Sequence, residues 1–302
     1  MTKPIFYMMV GLPCSGKSTM AKHFAKNYNA NIHSSDAIRE ELTGDINNQE
    51  NNALVFQTLH QRVKEDLRNG KNCIYDACCV HYKERKAFLQ ELKNIYCEKI
   101  CVLMATPYDT CLERNSNRDR KVPEHVIKRM YMAFDPPWDY EGWNDIIVMY
   151  DDTVYRLPNN FYLRTKHFDQ HNKYHTLTLG EHCAAVCAEL INESQELSLA
   201  GMLHDCGKPF CKTFKNGKGE ITEQAHYYNH EHTGGYDSLF YREDFSNKVD
   251  PLYIAVLIRW HMQPYFWEKD NNEKLHNKYR RLWGEELYND IMKLHNADKN
   301  AH

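Results

Sequence analysis

The sequence predicts an α/β domain with a mostly parallel sheet at residues 1–153, followed by an all-α helical domain at residues 160–302. In the first half, short apolar runs alternate with segments of helical periodicity, a pattern typical of a parallel sheet covered by helices. In the second half the periodicity is helical and histidine becomes frequent. The polar stretch Asp151–Asn160, which contains Pro158, is the predicted linker. A chain of 302 residues is long enough for each domain to bury its own core.

The elements of the first domain follow in order from the apolar pattern. The predicted strands are Ile5–Val10, a short strand from Ala30, Asn72–Asp76, Ile100–Met104 and Ile146–Tyr150. Helices are predicted after the first two strands, at Asn52–Asn69 with Phe56, Leu59, Val63 and Leu67 on its apolar face, and at Lys83–Ile95. Gly70 is the predicted end of the long helix.

Composition limits the function classes. The net charge of −3 excludes a globally basic nucleic-acid-binding surface, so any such binding must come from local patches. The low mean hydropathy and the lack of a long apolar run exclude a membrane span, and no signal peptide precedes the first strand. We therefore expect a soluble, cytoplasmic protein that does not bind membranes. The eleven cysteines lack paired metal-binding spacing and read as reduced thiols.

The stretch Gly11–Thr19 fits the phosphate-loop pattern G-x-x-x-x-G-K-[ST], and it lies between a predicted strand and a predicted helix. Glycines let successive backbone N–H groups turn inward, and a helix N-terminus adds partial positive charge. The pattern predicts ATP with Mg²⁺, with Lys17 on the β- and γ-phosphates and the Ser18 hydroxyl on the metal ion. The predicted nucleotide-binding residues of the loop are Gly11, Ser15, Gly16, Lys17, Ser18 and Thr19.

Asp36 and Arg39 follow the second strand, one helical turn apart. A carboxylate there can accept the proton of an attacking hydroxyl, and an arginine three residues later can bind an anionic group of the acceptor. The alternative is that Asp36 is only a helix N-cap and Arg39 a solvated side chain.

Two further features belong to the same predicted site. Asp76 ends a strand, where open α/β sheets place ligand-contacting groups, and it could hold the water shell of the metal ion. The segment Arg114–Lys121 carries three arginines, Arg114, Arg118 and Arg120. Such a run is either a solvated helix end or a lid over the transferring phosphates.

Together these motifs resemble the phage-type polynucleotide 5′-kinase family. The phosphate loop, Asp36-x-x-Arg39, the Asp76 strand and the Arg114-to-Arg118 segment before Val122-Pro123 occur in that family's order. The resemblance covers about the first half of the chain. It implies that Asp36 is the general base for a 5′-hydroxyl and that Arg39 binds the acceptor's phosphate. It also implies that Arg118 holds the donor phosphates from the lid, with Asp76 in the site.

Histidines in helical runs dominate the second half, as in Leu203-His204-Asp205 and Arg259-Trp260-His261. A lone histidine at the end of an apolar helix is usually structural. Several of them, one followed directly by aspartate, indicate metal, because imidazoles and carboxylates are the ligands that divalent ions take from packed helices. Nitrogen and oxygen ligands without thiolate favour Mn, Fe, Co, Ni or Zn over Ca.

From about residue 171 onwards the chain resembles the HD phosphohydrolase superfamily. The motifs that carry the resemblance are Glu181-His182, His204-Asp205-x-Gly207-Lys208, His230-Glu231-x-x-Gly234, Arg259-Trp260-His261 and Asn296-Ala297-Asp298. The resemblance implies a first metal ion on His182, His204, Asp205 and Asp298. A second ion would lie on His230 and His261 with Asp205 bridging, although some members of the superfamily use one ion.

The same resemblance assigns further roles. Lys208 would neutralise charge on the scissile phosphate, and His175 is the better candidate within His171–His175 to contact the phosphate or the leaving group. Two ions of this kind can activate water and hold a phosphate oxygen during in-line displacement. His226, His232 and His295 are expected to be structural or to support the ligands.

The combination resembles bacterial enzymes that heal nucleic-acid ends, in which the HD module comes first rather than second. It predicts ATP-dependent phosphorylation of RNA or DNA 5′-hydroxyl ends, together with hydrolysis of a 2′,3′-cyclic phosphate or of a terminal 2′- or 3′-phosphate. An RNA ligase acting in trans is a candidate partner, and a homo-oligomer is left open. Two alternatives remain: a small-molecule or nucleoside kinase fused to an HD nucleotidase, and a kinase regulated by a non-catalytic HD nucleotide sensor.

Overall fold

The computed structural model describes residues 3–151, 158–173, 176–241, 249–269 and 272–301. Contacts divide the chain into two compact units, residues 1–128 with 137–151 and residues 129–136 with 152–302. This division differs from the predicted limits by placing residues 129–136 in the second unit. In the described part of the chain, no helix combines the length and the apolar character needed to cross a bilayer.

The first unit is an α/β structure with a five-stranded sheet, as the sequence predicts. The strand order is β2-β3-β1-β4-β5, and every pairing is parallel. Its elements are β1 (Ile5–Val10), α1 (Lys17–Tyr28), β2 (Ala30–Ser34), α2 (Ser35–Thr43), α3 (Asn52–Arg68), β3 (Asn72–Asp76), α4 (Tyr82–Glu91), β4 (Glu98–Ala105), α5 (Tyr108–Ser116) and β5 (Asp145–Tyr150). Helix α6 (Glu124–Tyr131) lies between α5 and β5 in the chain.

The central strand β1 is apolar along nearly its whole length because both faces of a parallel sheet are covered. Phe6 through Val10 are all buried. On one face Tyr7 and Met9 pack with Phe24 of α1 and with Val102 of β4. This packing holds α1 against the sheet and so fixes the loop between β1 and α1.

The strand register brings the candidate residues to one edge of the sheet. Asp76 pairs with Met9 on one side and with Ser34 on the other. The carboxyl ends of the three strands are therefore level. The phosphate loop follows the first of these strands, and Asp36 lies two residues beyond Ser34.

Two details of the predicted elements are wrong. Val55, rather than Phe56, lies on the buried face of α3, because residues four apart (Val55, Leu59, Val63 and Leu67) share one side of the helix. Helix α4 ends at Glu91 and not at Ile95. Short turns replace it, since the N–H of Ile95 donates to the carbonyl of Leu92.

The second unit is helical, but it is not all-α as predicted. A two-stranded antiparallel hairpin, β6 (Thr213–Lys215) and β7 (Ile221–His226), interrupts the helices. Its turn contains Asn216, Gly217 and Gly219, residues that favour tight turns. The helices are α7 (Pro158–Thr165), α8 (Leu179–Glu189), α9 (Gln195–Leu203), α10 (Lys208–Cys211), α11 (His230–Asp237), α12 (Pro251–Trp260), α13 (Gln263–Lys269), α14 (Glu273–Trp283) and α15 (Glu285–Asn300).

Helix α12 forms the centre of this unit because it is apolar almost all round. The Asp250 side chain accepts from the Leu252 N–H at its start, and Ile254 through Ile258 are buried. His261 follows the last turn of this buried helix and is itself 1% exposed. A helix of this kind positions the side chain at its end within the core.

Candidate functional sites

The phosphate loop has the backbone geometry that its glycines permit. Gly11 and Gly16 have φ values of +149° and +93°, which side-chain-bearing residues rarely adopt. A Cβ at Gly11 would also lie 2.9 Å from Ser15 Oγ and 3.0 Å from the Met104 carbonyl oxygen. The hydroxyl of Thr106 donates to the Ser15 carbonyl at 3.0 Å and holds the loop to the end of β4.

Lys17 is 7% exposed, and its Nζ donates to the Leu12 carbonyl at 2.6 Å, within the loop. Ser18 and Thr19 lie in the first turn of α1 with exposed side chains. Ser15 is buried. The structure thus brings together the loop residues that the motif indicates.

Asp76 lies beside Ser18, and the hydroxyl of Ser18 donates to its carboxylate. Burial raises the pKa of the Asp76 carboxyl, while this hydrogen bond and Lys17 act in the opposite direction. A hydroxyl next to a buried carboxylate is the ligand pair that P-loop proteins use for Mg²⁺.

Asp36 is not a helix N-cap, because Ser34 occupies that position before α2. Arg39 donates to one oxygen of Asp36 at 2.9 Å and to Asn52 Oδ1 at 3.0 Å. Arg39 is 5% exposed, so it is not the solvated side chain of the alternative interpretation. The second oxygen of Asp36 accepts from Arg120 at 2.6 Å, a contact that the sequence did not indicate.

The predicted lid arginines Arg114 and Arg118 contact different partners. Arg118 Nη1 lies 3.2 Å from the Cys14 sulfur, within the phosphate loop. Arg114 instead donates to Asp151 at 2.5 Å, and 44% of its side chain is exposed. The structure brings Arg118 to the nucleotide loop and leaves Arg114 at the surface beside Asp151.

In the second unit, the predicted ligands of the first metal ion converge from α8, α9 and α15. His182 Nε2 lies 3.0 Å from Asp298 Oδ1 and 3.2 Å from His204 Nε2. His204 Nε2 lies 3.2 Å from Asp205 Oδ2. The ligand atoms of His182, His204 and Asp298 all lie within 4.8 Å of one another, and all three residues are buried.

The predicted ligands of the second ion form an adjoining group. Asp205 Oδ1 lies 3.2 Å from His230 Nε2 and 3.9 Å from His261 Nε2, and the two imidazole nitrogens are 3.3 Å apart. Asp205 therefore faces the two groups with different oxygens. Although burial opposes it, Lys208 and His204 hold the pKa of Asp205 well below its ordinary value, so it is a carboxylate.

All four histidines present the same nitrogen to the cluster. The Nδ1 atoms lie 2.6–2.8 Å from the carbonyl oxygens of Ala301, Gly201, Tyr227 and Ile258, for His182, His204, His230 and His261 respectively. A carbonyl can only accept, so each Nδ1 carries the proton and each Nε2 of a neutral ring presents a lone pair. Metal-binding histidines are oriented in this way in proteins.

The Nε2 atoms of each pair are 3.2 and 3.3 Å apart, and their lone pairs repel unless a proton or a metal cation lies between them. Burial lowers the pKa of His261 to about 3, and His230 and His204 act in the same direction, so its ring stays neutral. Burial also opposes protonation of His204, yet Asp205 and Asp298 raise its pKa well above the ordinary value. The cluster thus attracts positive charge, and its donor set fits a divalent transition metal.

Gly207 in the His204-Asp205-x-Gly207-Lys208 motif has a packing role. A Cβ at this position would lie 2.2 Å from the His230 carbonyl oxygen and 2.3 Å from Thr233 Oγ1. The helix that carries His230 therefore packs directly on the backbone after Asp205. Only glycine permits this approach of the two ligand-bearing segments.

Lys208 lies beside the cluster rather than apart from it. Its Nζ is 2.6 Å from Asp205 Oδ2 and donates to Gln170 Oε1 at 2.8 Å. Gln170, which is 1% exposed, and Tyr265, whose hydroxyl donates to Asp298 Oδ2 at 2.9 Å, were not found from the sequence. Neither lies in a charged motif or at a diagnostic spacing, so no sequence signal could have identified them.

The other histidines that the sequence singled out, where the structure describes them, have different partners. His226 contacts Thr222, His232 contacts the Phe134 carbonyl, and His295 contacts Glu268. His171 is exposed and contacts the Asp169 carbonyl, and His175 lies outside the described residues. Glu181 forms a capping box with Thr178 at the start of α8.

Cys183 also lies within reach of His204 and Asp205, an association that the sequence did not suggest. Burial raises the pKa of the Cys183 thiol, although His204 opposes this. Because the thiolate is the metal ligand, a protonated Cys183 is better suited to packing.

Comparison with known proteins adds to this geometry. Residues 6–137 match the AAA domain family. The matched residues include the phosphate loop and lie mostly in the α/β unit with the parallel sheet. Over 160 residues the chain is 29% identical to L-seryl-tRNA(Sec) kinase of Methanococcus maripaludis, covering 51% of this chain and 61% of the relative.

Two other similarities involve the same P-loop domain. Protein kti12 of Schizosaccharomyces pombe is 24% identical over 157 residues, covering 47% of this chain and 56% of the relative. The chain thus spans about three fifths of the length of the curated relatives that it matches. A chain from the structure of the Pnkp1/Rnl/Hen1 RNA repair complex aligns with a TM-score of 0.38 at 20% identity, covering 43% of each chain.

Proposed function

We propose that this protein heals both ends of a broken polynucleotide. Its P-loop domain would phosphorylate 5′-hydroxyl ends with ATP and Mg²⁺. Its second unit would use a divalent transition metal, as one or two ions, to hydrolyse a 2′,3′-cyclic phosphate or a terminal 2′- or 3′-phosphate. The observation that carries the proposal is the presence on one chain of a kinase loop with an Asp36–Arg39 pair and a buried cluster of four imidazoles and two carboxylates.

In the kinase reaction, the acceptor hydroxyl oxygen forms a bond to the γ-phosphorus while the bond between that phosphorus and the ADP oxygen breaks. Asp36 takes the proton of the hydroxyl, and Arg39 holds the acceptor's phosphate. Lys17 and Arg118 contact the donor phosphates, where charge develops in the transition state. Ser18 and Asp76 would hold the Mg²⁺ that accompanies ATP.

In the second unit, His182, His204, Asp205 and Asp298 would hold one ion, and His230, His261 and Asp205 a second. Such ions supply Lewis acidity and lower the pKa of water. Lys208 lies 2.6 Å from Asp205, close enough to bind a phosphate oxygen at the cluster. The HD-type assignment rests on this donor set and on the order of the motifs.

A polynucleotide substrate is favoured over a metabolite by two considerations. The relative in Methanococcus maripaludis is named for phosphorylating the seryl group of a tRNA, so its acceptor hydroxyl is attached to RNA. RNA cleavage by attack of a 2′-hydroxyl leaves a 5′-hydroxyl and a 2′,3′-cyclic phosphate, and the two proposed activities convert these two ends. The reaction that consumes the products would be strand joining by an RNA ligase in trans.

The test uses one oligonucleotide that carries a 5′-hydroxyl and a 2′,3′-cyclic phosphate, incubated with ATP, Mg²⁺ and Mn²⁺. Chromatography and mass spectrometry resolve the products at each end. Asp36→Ala should abolish labelling from γ-labelled ATP and spare the hydrolysis, whereas Asp205→Ala should do the reverse. Arg62→Ala is the control, since the partly exposed Arg62 side chain on α3 pairs with Glu41 at the surface.

Three outcomes would contradict the proposal. A single variant that silenced both activities would exclude independent sites. A protein that labelled a nucleoside or another small molecule, but never an oligonucleotide, would support the small-molecule kinase instead. Protein purified without transition metal that cannot be loaded with it would favour the nucleotide-sensor alternative for the second unit.

A further inference from the structure

Arg120 makes contacts that the proposed kinase mechanism does not use. It lies between α5 and α6, and its guanidinium donates to Asp36 Oδ2 at 2.6 Å. The same side chain donates to Asn47 Oδ1 at 3.1 Å and lies 3.4 Å from the Ile46 carbonyl oxygen. Arg120 thus joins the arginine-rich segment to the loop between α2 and α3, which we call the acceptor loop (residues 44–51).

The consequence is that both carboxylate oxygens of Asp36 are held by arginines. Arg39 takes Oδ1 and Arg120 takes Oδ2. Each oxygen keeps a second lone pair, but the two guanidinium groups narrow the approach to both, so displacement of one arginine would open the carboxylate to the acceptor hydroxyl.

Arg120 is the arginine that can leave. Arg39 is 5% exposed and is also fixed by Asn52. The Arg120 side chain is 28% exposed and that of Asp36 is 47% exposed, and ion pairs at such exposure contribute little to stability. Displacement of Arg120 therefore costs little free energy.

We propose that Arg120 is a specificity-determining residue of the acceptor site. It covers Asp36 when no acceptor is bound, and it exchanges that carboxylate for the phosphate of an incoming polynucleotide. Guanidinium binds phosphate through two parallel N–H groups. In an acceptor with a phosphate next to its terminal nucleoside, that phosphate can therefore replace the Asp36 carboxylate as the partner of Arg120. A neutral acceptor offers Arg120 no such contact and gains no binding energy from it. The inference rests on the proposed kinase function and names the acceptor class of that site.

The local structure supports an anion at this position. Arg39 Nε is buried and has no hydrogen-bond partner among the described residues. Asn47 and Asn52 turn their side-chain oxygens towards the two arginines. Arg120 is also separate from the donor side, because it is Arg118 that contacts the phosphate loop at Cys14. Two guanidinium groups therefore flank the proposed general base on its acceptor side.

The experiment compares two acceptors with a 5′-hydroxyl, a nucleoside 3′-phosphate and the same nucleoside without phosphate. Steady-state kinetics with γ-labelled ATP are measured for the wild type, Arg120→Ala, Arg120→Lys and the control Arg62→Ala. For the nucleoside 3′-phosphate, Arg120→Ala should raise KM about tenfold or more with KM for ATP unchanged, and Arg120→Lys should recover part of the loss. For the nucleoside, activity should stay the same or rise, because Asp36 is no longer covered.

These opposite responses separate specificity from a structural role. An equal loss on both acceptors, an increase in KM for ATP, or unchanged kinetics on the nucleoside 3′-phosphate would overturn the inference. Wild-type protein that phosphorylates neither acceptor nor an oligonucleotide would contradict the proposed kinase function itself. If only the inference about Arg120 is wrong, the wild type is active and Arg120→Ala has the same kinetics, so the two failures can be distinguished.

Discussion

Metal loading should stabilise the second unit strongly. Four imidazoles, each with Nδ1 turned to a carbonyl, converge on two carboxylates, so the folded state would offer a divalent ion an organised site that the unfolded chain lacks. A ligand that binds only the folded state at about a thousand times its Kd stabilises it by about 4 kcal/mol. The unit has about 160 residues, and for this size each kcal/mol raises Tm by roughly 2–4 °C. We therefore expect a rise of about 8–16 °C.

The assay is thermal unfolding of the full chain after chelation and dialysis, with and without Mn²⁺ or Zn²⁺, together with metal analysis. Trp260, Trp267 and Trp283 report on the second unit by fluorescence. His182→Ala and His261→Ala should each lower the bound metal and the rise in Tm, because each removes a ligand from a different group. His226→Gln, whose ring contacts Thr222 on the hairpin, is the matched control and should behave as the wild type.

Two results would refute the reasoning. One is a chain that binds no transition metal and shows the same Tm in chelator and in metal. The other is equal metal binding by His182→Ala, His261→Ala and the wild type. Either would mean that the cluster is a structural arrangement of buried histidines.

Two further predictions follow from the same geometry. Gly207→Ala should lower the free energy of unfolding by about 1–3 kcal/mol and weaken metal binding, because its Cβ would lie 2.2 Å from the His230 carbonyl oxygen. Calorimetry and metal analysis measure the two effects, and Gly217→Ala in the open hairpin turn is the control. Asp76→Asn should lower kinase turnover roughly 10- to 100-fold, as loss of a metal-supporting group does, yet raise stability at neutral pH. Burial raises the pKa of Asp76 in the folded state, so ionisation of Asp76 opposes folding as the pH rises from its unfolded-state pKa through its folded-state pKa. The difference in the free energy of unfolding between Asp76→Asn and the wild type should therefore vanish as the pH falls below the unfolded-state pKa. A denaturation series from pH 3 to 8 that shows the opposite trend would contradict the assignment.

The predictions that succeeded depend on local chemistry. The phosphate loop could be predicted from the sequence because its residues are consecutive and its glycines permit the backbone conformation that it needs. The parallel sheet was readable because strands covered on both faces are apolar runs, as Phe6 to Val10 shows. The structure also brings together the six residues that the resemblance implied as ligands, although their role as metal ligands stays a prediction.

The predictions that failed depend on contacts between distant residues. The hairpin β6–β7 was missed because its strands have three and six residues and show weak alternation. Arg114 and Arg120 are alike in the sequence, yet one pairs with Asp151 and the other with Asp36. No spacing rule distinguishes two arginines in one polar segment.

By itself, then, the sequence determined which chemical groups this protein has and in which order: a loop of the phosphate-binding pattern, an aspartate with a nearby arginine, and six histidine and aspartate residues of the kinds that metal ions bind. These groups can be recognised because they depend on residue identity and on the backbone geometry of residues that are neighbours in the sequence. Only the tertiary structure decided which partners those groups meet. It turned the four Nδ1 atoms to carbonyl oxygens so that the Nε2 atoms converge, and it placed Arg120 on Asp36 across 84 residues of chain. The reason is that such contacts are created by packing, which depends on the whole core and not on neighbouring residues.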